Sequence, residues 1–150
     1  MAYLLWGFGL PWRAGPRVLP LYLAGLAVQC LHLLEEYLTG FGRDFPALFG
    51  LAWNEREFLA FNLVWLAVFL LAALGLVEEV RMAYLVVIFF AVVGEIANAG
   101  LHLAMGAVRG AYFPGLWTAP LHAAVGVLLV RSLLGGGGGG RAETGAVGWP

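Results

Sequence analysis

Four long apolar stretches dominate the pattern of hydrophobic and polar positions along the chain. They cover residues 18–39, 58–77, 82–108 and 113–134, and polar or charged segments separate them. Each comes close to or exceeds the roughly 20 residues that a helix needs to cross the hydrocarbon core of a bilayer. Backbone groups in lipid must be hydrogen-bonded within their own segment, so each stretch is predicted to be helical. The pattern therefore predicts an all-α fold, a four-helix transmembrane bundle with up-down-up-down topology.

The segments that flank these stretches have a different character. Residues 1–17 are predicted to form an N-terminal interfacial segment, and residues 18–134 the four-helix transmembrane domain. An uninterrupted glycine run opens the remainder, residues 135–150. Glycine-rich chain has too little apolar side chain to pack, so this last segment is predicted to be a flexible tail.

Arginine positions predict how the bundle sits in the membrane. Four crossings place both termini on one side, and positively charged residues favour the cytoplasmic side. The terminal side would carry five arginines, against three on the other: Arg13, Arg17, Arg81, Arg131 and Arg141 against Arg43, Arg56 and Arg109. The expectation is a multi-pass integral membrane protein with cytoplasmic termini.

The overall composition supports a membrane location. The chain is 62% hydrophobic and 11% charged, with a mean hydropathy of +0.88, whereas soluble domains are nearer half apolar and a quarter charged. All eight basic residues are arginine, and they are scattered along the chain. Nucleic-acid binding requires a basic patch, so nucleic acid is not expected as a partner. The expected partner is the lipid bilayer.

Ionisable side chains inside the apolar stretches are the unusual feature of this sequence. Such groups are costly in a membrane and usually mark function. In the HLLEE segment of the first stretch, the two glutamates follow the histidine by three and four residues and share one helix face with it. In the third stretch, Glu95, Asn98 and His102 stand at positions i, i+3 and i+7, which predicts one polar stripe on the helix. The residues concerned are His32, Glu35, Glu36, Glu95, Asn98, His102 and, in the fourth stretch, His122.

Helix rise predicts that the three histidines lie at one depth. At about 1.5 Å per residue, His32, His102 and His122 each lie roughly 9–13 Å below the same membrane surface. They are all the histidines of the chain. Three imidazoles from three helices are therefore expected to converge inside the bundle.

Imidazoles and carboxylates presented by facing helices are what metal sites in helix bundles use. Thiolate ligands are lacking, so the set suits zinc, iron or manganese better than copper(I), and zinc or iron is the expected divalent metal. Glu36 and Asn98 are predicted as catalytic residues, with Glu36 suited to act as a base beside a metal-bound water. The predicted metal ligands are His32, Glu35, Glu36, Glu95, His102 and His122.

HLLEE at residues 32–36, NAGLH at residues 98–102 and the later His122 together resemble the HXXEE domain family of integral membrane proteins. The resemblance extends over roughly residues 19–134. It implies that the motif residues act together, and it names no reaction. The motif residues are His32, Glu35, Glu36, Asn98, His102 and His122.

Three classes of function stay open on the sequence. The first is a metal-dependent membrane enzyme acting on a lipid or apolar substrate, either a zinc hydrolase or a carboxylate-bridged iron oxidoreductase. The second is a non-enzymatic module that handles protons or metal ions, which would require a homo-oligomer. The third is a structural subunit whose polar cluster specifies helix register. The third stretch is apolar before Glu95 except for Tyr84, and this favours a one-sided pocket over a conduit.

Three further features carry two interpretations each. Asn62 either closes the polar cluster or bonds a neighbouring carbonyl, and residues 53–58 either cover a cavity mouth or start a helix. The segment with Tyr112, Pro114 and Gly115 is predicted to be a tight turn leading into the fourth helix. For that turn, a purely structural role is expected.

Overall fold

The computed structural model describes residues 15–135, and within that range the chain is helical with no strand. The first three helices are α1 (Val18–Thr39), α2 (Phe41–Ala47) and α3 (Glu55–Val77). A continuous helix over Arg81–Arg109 follows, and it consists of α4 (Arg81–Phe89), a π segment (Phe90–Ala97) and α5 (Asn98–Arg109). The last helix is α6 (Ala119–Gly135).

Three helices are long and apolar enough to cross a membrane: Val18–Thr39, Glu55–Val77 and Arg81–Arg109. The predicted all-α, membrane-like fold is therefore confirmed, whereas four spanning helices are not. The fourth predicted stretch is helical only from Ala119, since residues 110–118 form turns and irregular chain, and α6 has 17 residues. The predicted interfacial segment lies largely outside the described residues, as does nearly all of the predicted tail.

Local sequence signals explain where the helices begin and end. Asn54 and Glu57 form a reciprocal capping box at the start of α3, each side chain accepting the other's backbone N–H at 3.0 Å. Residues 53–58 therefore start a helix, one of the two predicted interpretations. Gly40 and Gly110 end α1 and α5 in the left-handed conformation that glycine adopts without strain. Helix α2 was not predicted, because it lies in a segment interpreted as a loop.

One half of the bundle has an apolar core. Tyr22 of α1, Phe69 of α3 and Phe90 of the π segment meet there with Leu129 of α6, and all are buried. The Tyr22 hydroxyl donates to the Phe69 carbonyl at 2.9 Å, so the polar group is satisfied inside the core. This half holds α1, α3, α4 and α6 together.

The other half holds the polar cluster, with a smaller apolar group of Phe41, Phe58 and Phe113 beside it. Helix α3 packs closely on α1 and α4 but makes few contacts with α5. The helices therefore diverge toward the polar half, which leaves space between α3 and the continuous helix Arg81–Arg109.

The π segment separates Glu95 from the polar stripe of α5. Its i→i+5 hydrogen bonds widen the helix and change the angular spacing of side chains, and such segments often occur at functional sites. Asn98 and His102 face α1, whereas Glu95 contacts His122 of α6. The predicted single stripe is thus wrong for Glu95, because it assumed α-helical spacing throughout.

Candidate metal centre

Three ligand atoms converge at the centre of the polar half. The Nε2 atoms of His32 and His102 are 3.2 Å apart. Glu36 Oε1 lies 3.4 Å from the first of these nitrogens and 3.2 Å from the second. Two of the three side chains are completely buried, and Glu36 is 4% exposed. Among the described residues, these form the one histidine and carboxylate group with three ligand atoms close enough to share an ion.

The size of this triangle suits a metal ion. Ligand atoms about 2.0–2.1 Å from a tetrahedral zinc ion lie about 3.3–3.4 Å from one another. The three observed separations are 3.2, 3.2 and 3.4 Å. One ion at the centre would thus contact all three atoms with little movement of the side chains.

Hydrogen bonds on the far side of the His32 ring fix its tautomer. Nδ1 lies 2.5 Å from the Thr118 hydroxyl oxygen, and that hydroxyl donates its only proton to Glu35 Oε2 at 2.6 Å. Thr118 must then accept from His32, so Nδ1 carries the ring proton. The neutral ring therefore presents a lone pair at Nε2.

The backbone fixes the tautomer of His102 in the same way. Its Nδ1 lies 2.6 Å from the carbonyl oxygen of Pro114, which can only accept. Nδ1 of His102 therefore donates, and Nε2 of the neutral ring carries a lone pair. Metal-bound histidines nearly always donate their other ring N–H to a carbonyl or a carboxylate. His102 does so directly, and His32 does so through Thr118.

Lone pairs facing one another in a buried site need a positive charge between them. Nε2 of His32, Nε2 of His102 and Glu36 Oε1 are all acceptors in these protonation states, and burial removes the water that would solvate them. A divalent cation satisfies all three at once. The donor set thus fits a metal ion by its chemistry as well as by its spacing.

Glu35 lies outside this group, although it adjoins Glu36 in sequence. Its Oε1 accepts from the Tyr112 hydroxyl at 2.7 Å and from the Trp117 N–H at 3.0 Å. Its Oε2 accepts from the Thr118 N–H at 2.9 Å and from the Thr118 hydroxyl. Four donors occupy the roughly four lone-pair positions of a carboxylate. None is left for a metal, so Glu35 orients the turn that holds His32.

The Tyr112 hydroxyl is protonated when it makes this bond. Burial and the hydrogen bond to Glu35 both raise the pKa of Tyr112. The phenol therefore remains a donor at neutral pH, and the segment before α6 stays attached to α1.

Asn98 lies at the edge of the triangle. Its Nδ2 is 3.0 Å from Nε2 of His32, so without an ion the amide donates to the one lone pair of that nitrogen, and an ion in the triangle would take its place. Asn98 and Glu36 also line one cavity. The predicted catalytic pair is thereby brought together beside the candidate ion.

Gly115 allows the turn to approach both histidine rings. Its φ is +87°, and a Cβ added there would lie 2.5 Å from His102 and 2.8 Å from His32. Only glycine combines that backbone conformation with so close an approach. The predicted structural turn is in fact part of the wall of the centre.

Glu95 and His122 form a separate buried pair behind the triangle. Glu95 Oε2 lies 2.9 Å from His122 Nδ1, and both side chains are fully buried. Glu95 Oε1 and His122 Nε2 have no hydrogen-bond partner among the described residues. The His122 ring nevertheless packs on the His32 ring, with centroids 4.4 Å apart. The three histidines do converge, but only two of them point a nitrogen at Glu36.

A cavity of about 380 Å³ reaches the centre at Glu36 and Asn98. More than half of its lining residues are aromatic, and Glu36 is the one charged residue among them. Asn62 also lines it, while its amide donates to the Phe58 carbonyl at 3.0 Å. The predicted bond of Asn62 to a neighbouring carbonyl is therefore confirmed, and its closing of the polar cluster stays a prediction.

Sequence reasoning missed two groups that hold the histidines, Thr118 and the Pro114 carbonyl. Thr118 is neutral, and a backbone carbonyl carries no sequence signal. The one available clue was the turn before α6, which places Pro114 and Gly115 within an apolar stretch where irregular backbone is tolerated only when buried in protein.

No protein-family model, curated protein or solved structure matches this chain.

Proposed function

We propose that this protein is a multi-pass membrane metalloprotein that binds one divalent ion, zinc or iron, through His32, Glu36 and His102. We further propose that it acts as a metal-dependent enzyme on a lipid or apolar substrate. The observation that supports the proposal most strongly is the pair of Nδ1 hydrogen bonds, to Thr118 and to Pro114. They direct both Nε2 lone pairs at one carboxylate oxygen.

Three protein ligands suit catalysis better than a structural role. Structural zinc sites usually have four protein ligands, whereas catalytic sites use three, including two histidines and a glutamate, and keep one position for water or substrate. A bound zinc ion lowers the pKa of such a water to about 7. Asn98 is placed to donate a hydrogen bond to a substrate oxygen near Glu36. A zinc hydrolase is consistent with this set.

Two histidines and one carboxylate also bind Fe(II) in oxygenases. A single iron is therefore the alternative to zinc. A carboxylate-bridged pair of irons has less support, because four hydrogen bonds occupy Glu35.

We also propose membership of the HXXEE domain family and four membrane crossings with cytoplasmic termini. At about 1.5 Å per residue, the 17 residues of α6 span roughly 26 Å, which approaches the thickness of a thin bilayer core. The buried turn before α6 would extend this crossing. Labelling of single cysteines in a Cys30→Ser background tests the topology. Arg56→Cys should react from outside the cell, and Glu78→Cys should react only after permeabilisation.

Proton handling without a metal is the second candidate function. The hydrogen-bonded series from His32 through Thr118 to the half-buried Glu35 favours it, since short bonds connect a buried ring to the edge of the protein. A proton-handling protein would load no ion.

The deciding experiment is elemental analysis of full-length protein purified in detergent. Wild type is compared with His102→Gln and with His122→Gln, a matched control at a ring that lies outside the ligand triangle. We expect near-stoichiometric zinc or iron in wild type and in the control, and almost none in His102→Gln. Equal metal content in all three proteins after reconstitution would refute the proposed centre. Gel filtration and thermal unfolding of each variant exclude misfolding as the cause.

A further inference from the structure

The cavity beside the metal centre extends away from it, toward the middle of the bundle. Its lining includes Phe58 and Phe69 of α3, which are eleven residues apart and thus separated by roughly 16 Å along the helix. On α1 it extends from Glu36 to Gln29. The space is elongated along the bundle axis, with the ligand carboxylate at one end.

The walls of the cavity are apolar except near the metal centre and at two amides. Trp65 stacks on Phe89 with ring centroids 5.3 Å apart, and this aromatic pair lines the end farther from Glu36. Gln29 and Asn62 add uncharged polar atoms. Small-molecule sites commonly occupy about 300–1,000 Å³ and combine apolar walls with a few polar groups, and this cavity fits that description.

The cavity opens sideways, between α3 and the π segment. Phe61, Trp65 and Val93 line it and are 52%, 37% and 45% exposed. All three lie well inside helices that are long enough to cross the membrane. Their exposed atoms therefore face hydrocarbon, and the opening follows from the divergence of α3 from α5.

We propose that the cavity admits the chain of a long-chain amphiphile directly from the bilayer and places its small oxygen-bearing polar group at Glu36 and Asn98. Only the placement of the polar group rests on the proposed function, since the proposed metal would bind that group. The occupant follows from three observations: the elongated apolar space, a lateral opening at hydrocarbon depth, and a single charged residue at one end. A water-soluble substrate would need a polar entrance, and the rim residues Phe61, Trp65 and Val93 offer none.

A photoreactive fatty acid with a diazirine in its chain tests the route without requiring metal. The full-length protein is reconstituted in phosphatidylcholine nanodiscs and irradiated with the probe, and mass spectrometry maps the labelled residues. We expect labelling at cavity residues such as Phe61, Trp65 and Phe69. Residues on other exposed faces, such as Leu71 and Val77, report the background from surrounding lipid.

Neighbouring valines of the π segment give a matched pair of variants. Val93 lines the cavity and is 45% exposed, whereas Val92 is 46% exposed and is not a lining residue. Val93→Trp should obstruct the opening and reduce labelling of Trp65 and Phe69 severalfold. Val92→Trp adds the same bulk on the lipid-facing surface and should leave that labelling unchanged.

The outcomes separate the cavity from the metal centre. Cavity labelling that falls in Val93→Trp but not in Val92→Trp supports the route, whether or not the protein carries metal. Uniform labelling of all exposed faces, insensitive to Val93→Trp, overturns it. A probe with the diazirine next to its carboxylate should label near Glu36 and Asn98 only in metal-loaded protein. Its loss in His102→Gln, with chain labelling retained, would assign binding of the polar group to the metal.

Discussion

Two buried groups of histidine and glutamate lie side by side in this protein, and they are built differently. His32, Glu36 and His102 point three ligand atoms at one another, and hydrogen bonds fix both rings from behind. Glu95 and His122 face each other at 2.9 Å, and the described residues give them no third ligand and no such support. The first group has what a metal centre needs. The second is a buried pair that packs against it.

The difference shows that burial and residue type alone do not bring three ligand atoms together. Both groups are buried, and both contain a histidine and a carboxylate. What distinguishes the triangle is its neighbours. Thr118 and the Pro114 carbonyl accept the Nδ1 protons of the two histidines, so each Nε2 lone pair faces the triangle. Changes to those neighbours should therefore impair metal binding, and changes to the pair should not.

The largest effect is expected from Gly115→Ala. The new Cβ would lie 2.5 Å from His102 with φ at +87°, so the variant suffers both backbone strain of about 1–3 kcal/mol and displacement of the histidine rings. Metal affinity should fall by more than about 100-fold, beyond the usual range for outer-shell changes. Competition with a chelator of known affinity measures it.

Gly110→Ala is the control for this variant. Gly110 also has a positive φ, +61°, but a Cβ there meets no atom within 4 Å. It should lower the unfolding temperature and keep wild-type metal affinity. Equal losses of metal in both variants would mean that backbone strain, and not contact with the rings, accounts for the effect.

Thr118→Val should have the next largest effect. It leaves the Nδ1 proton of His32 without an acceptor and removes one of the four hydrogen bonds to Glu35, the one from the Thr118 hydroxyl. Metal affinity should fall about 10–100-fold, as measured by the same competition. Thr39→Val removes a hydroxyl that donates to the Glu35 carbonyl at 2.7 Å and should leave the affinity unchanged. If Thr118→Val binds metal like wild type, the tautomer argument for His32 fails.

Tyr112→Phe should have a smaller effect. The change removes one of four donors to Glu35, and the tyrosine is 38% exposed. The free energy of unfolding should fall by about 0.5–1.5 kcal/mol. Metal affinity should fall less than about tenfold. Denaturant titration of the reconstituted protein gives the stability, and a fall in affinity as large as that of Thr118→Val would contradict the assigned order.

Glu95→Gln should have the smallest effect on metal binding. The amide keeps the size of the side chain and the contact to His122, and no atom of Glu95 belongs to the ligand triangle. Metal content and affinity should equal those of wild type within the error of the titration. Loss of metal here would make the pair part of the centre and would erase the contrast between the two groups.

The long helices and the convergence of the three histidines could be predicted because each follows from local rules. Helix α1 has the predicted bounds, Val18–Thr39. Helix α3 and the continuous helix Arg81–Arg109 begin and end within three residues of their predicted bounds. Hydropathy fixes such segments almost alone. The convergence of His32, His102 and His122 followed from the rise per residue.

The division of labour within the cluster could not be predicted. Glu35 and Glu36 are neighbours with the same side chain, and what separates their roles is that Glu35 binds donors 77 or more residues away. The π segment places Glu95 outside the stripe that α-helical spacing predicted, and no residue pattern predicts such a segment. The shortened α6 follows from a turn whose backbone is used to contact His102.

The bond between His32 and Thr118 joins positions 86 residues apart, and it constrains the order in which the protein is made. His32 leaves the ribosome early, in the first helix, whereas Thr118, which orients its ring, belongs to the last of the four apolar stretches. Until that segment is in place, Nδ1 of His32 lacks the acceptor that fixes its tautomer. A nascent chain that ends before Thr118 therefore lacks the group that directs the His32 lone pair at Glu36, and the ligand triangle is completed only when the turn before α6 has formed.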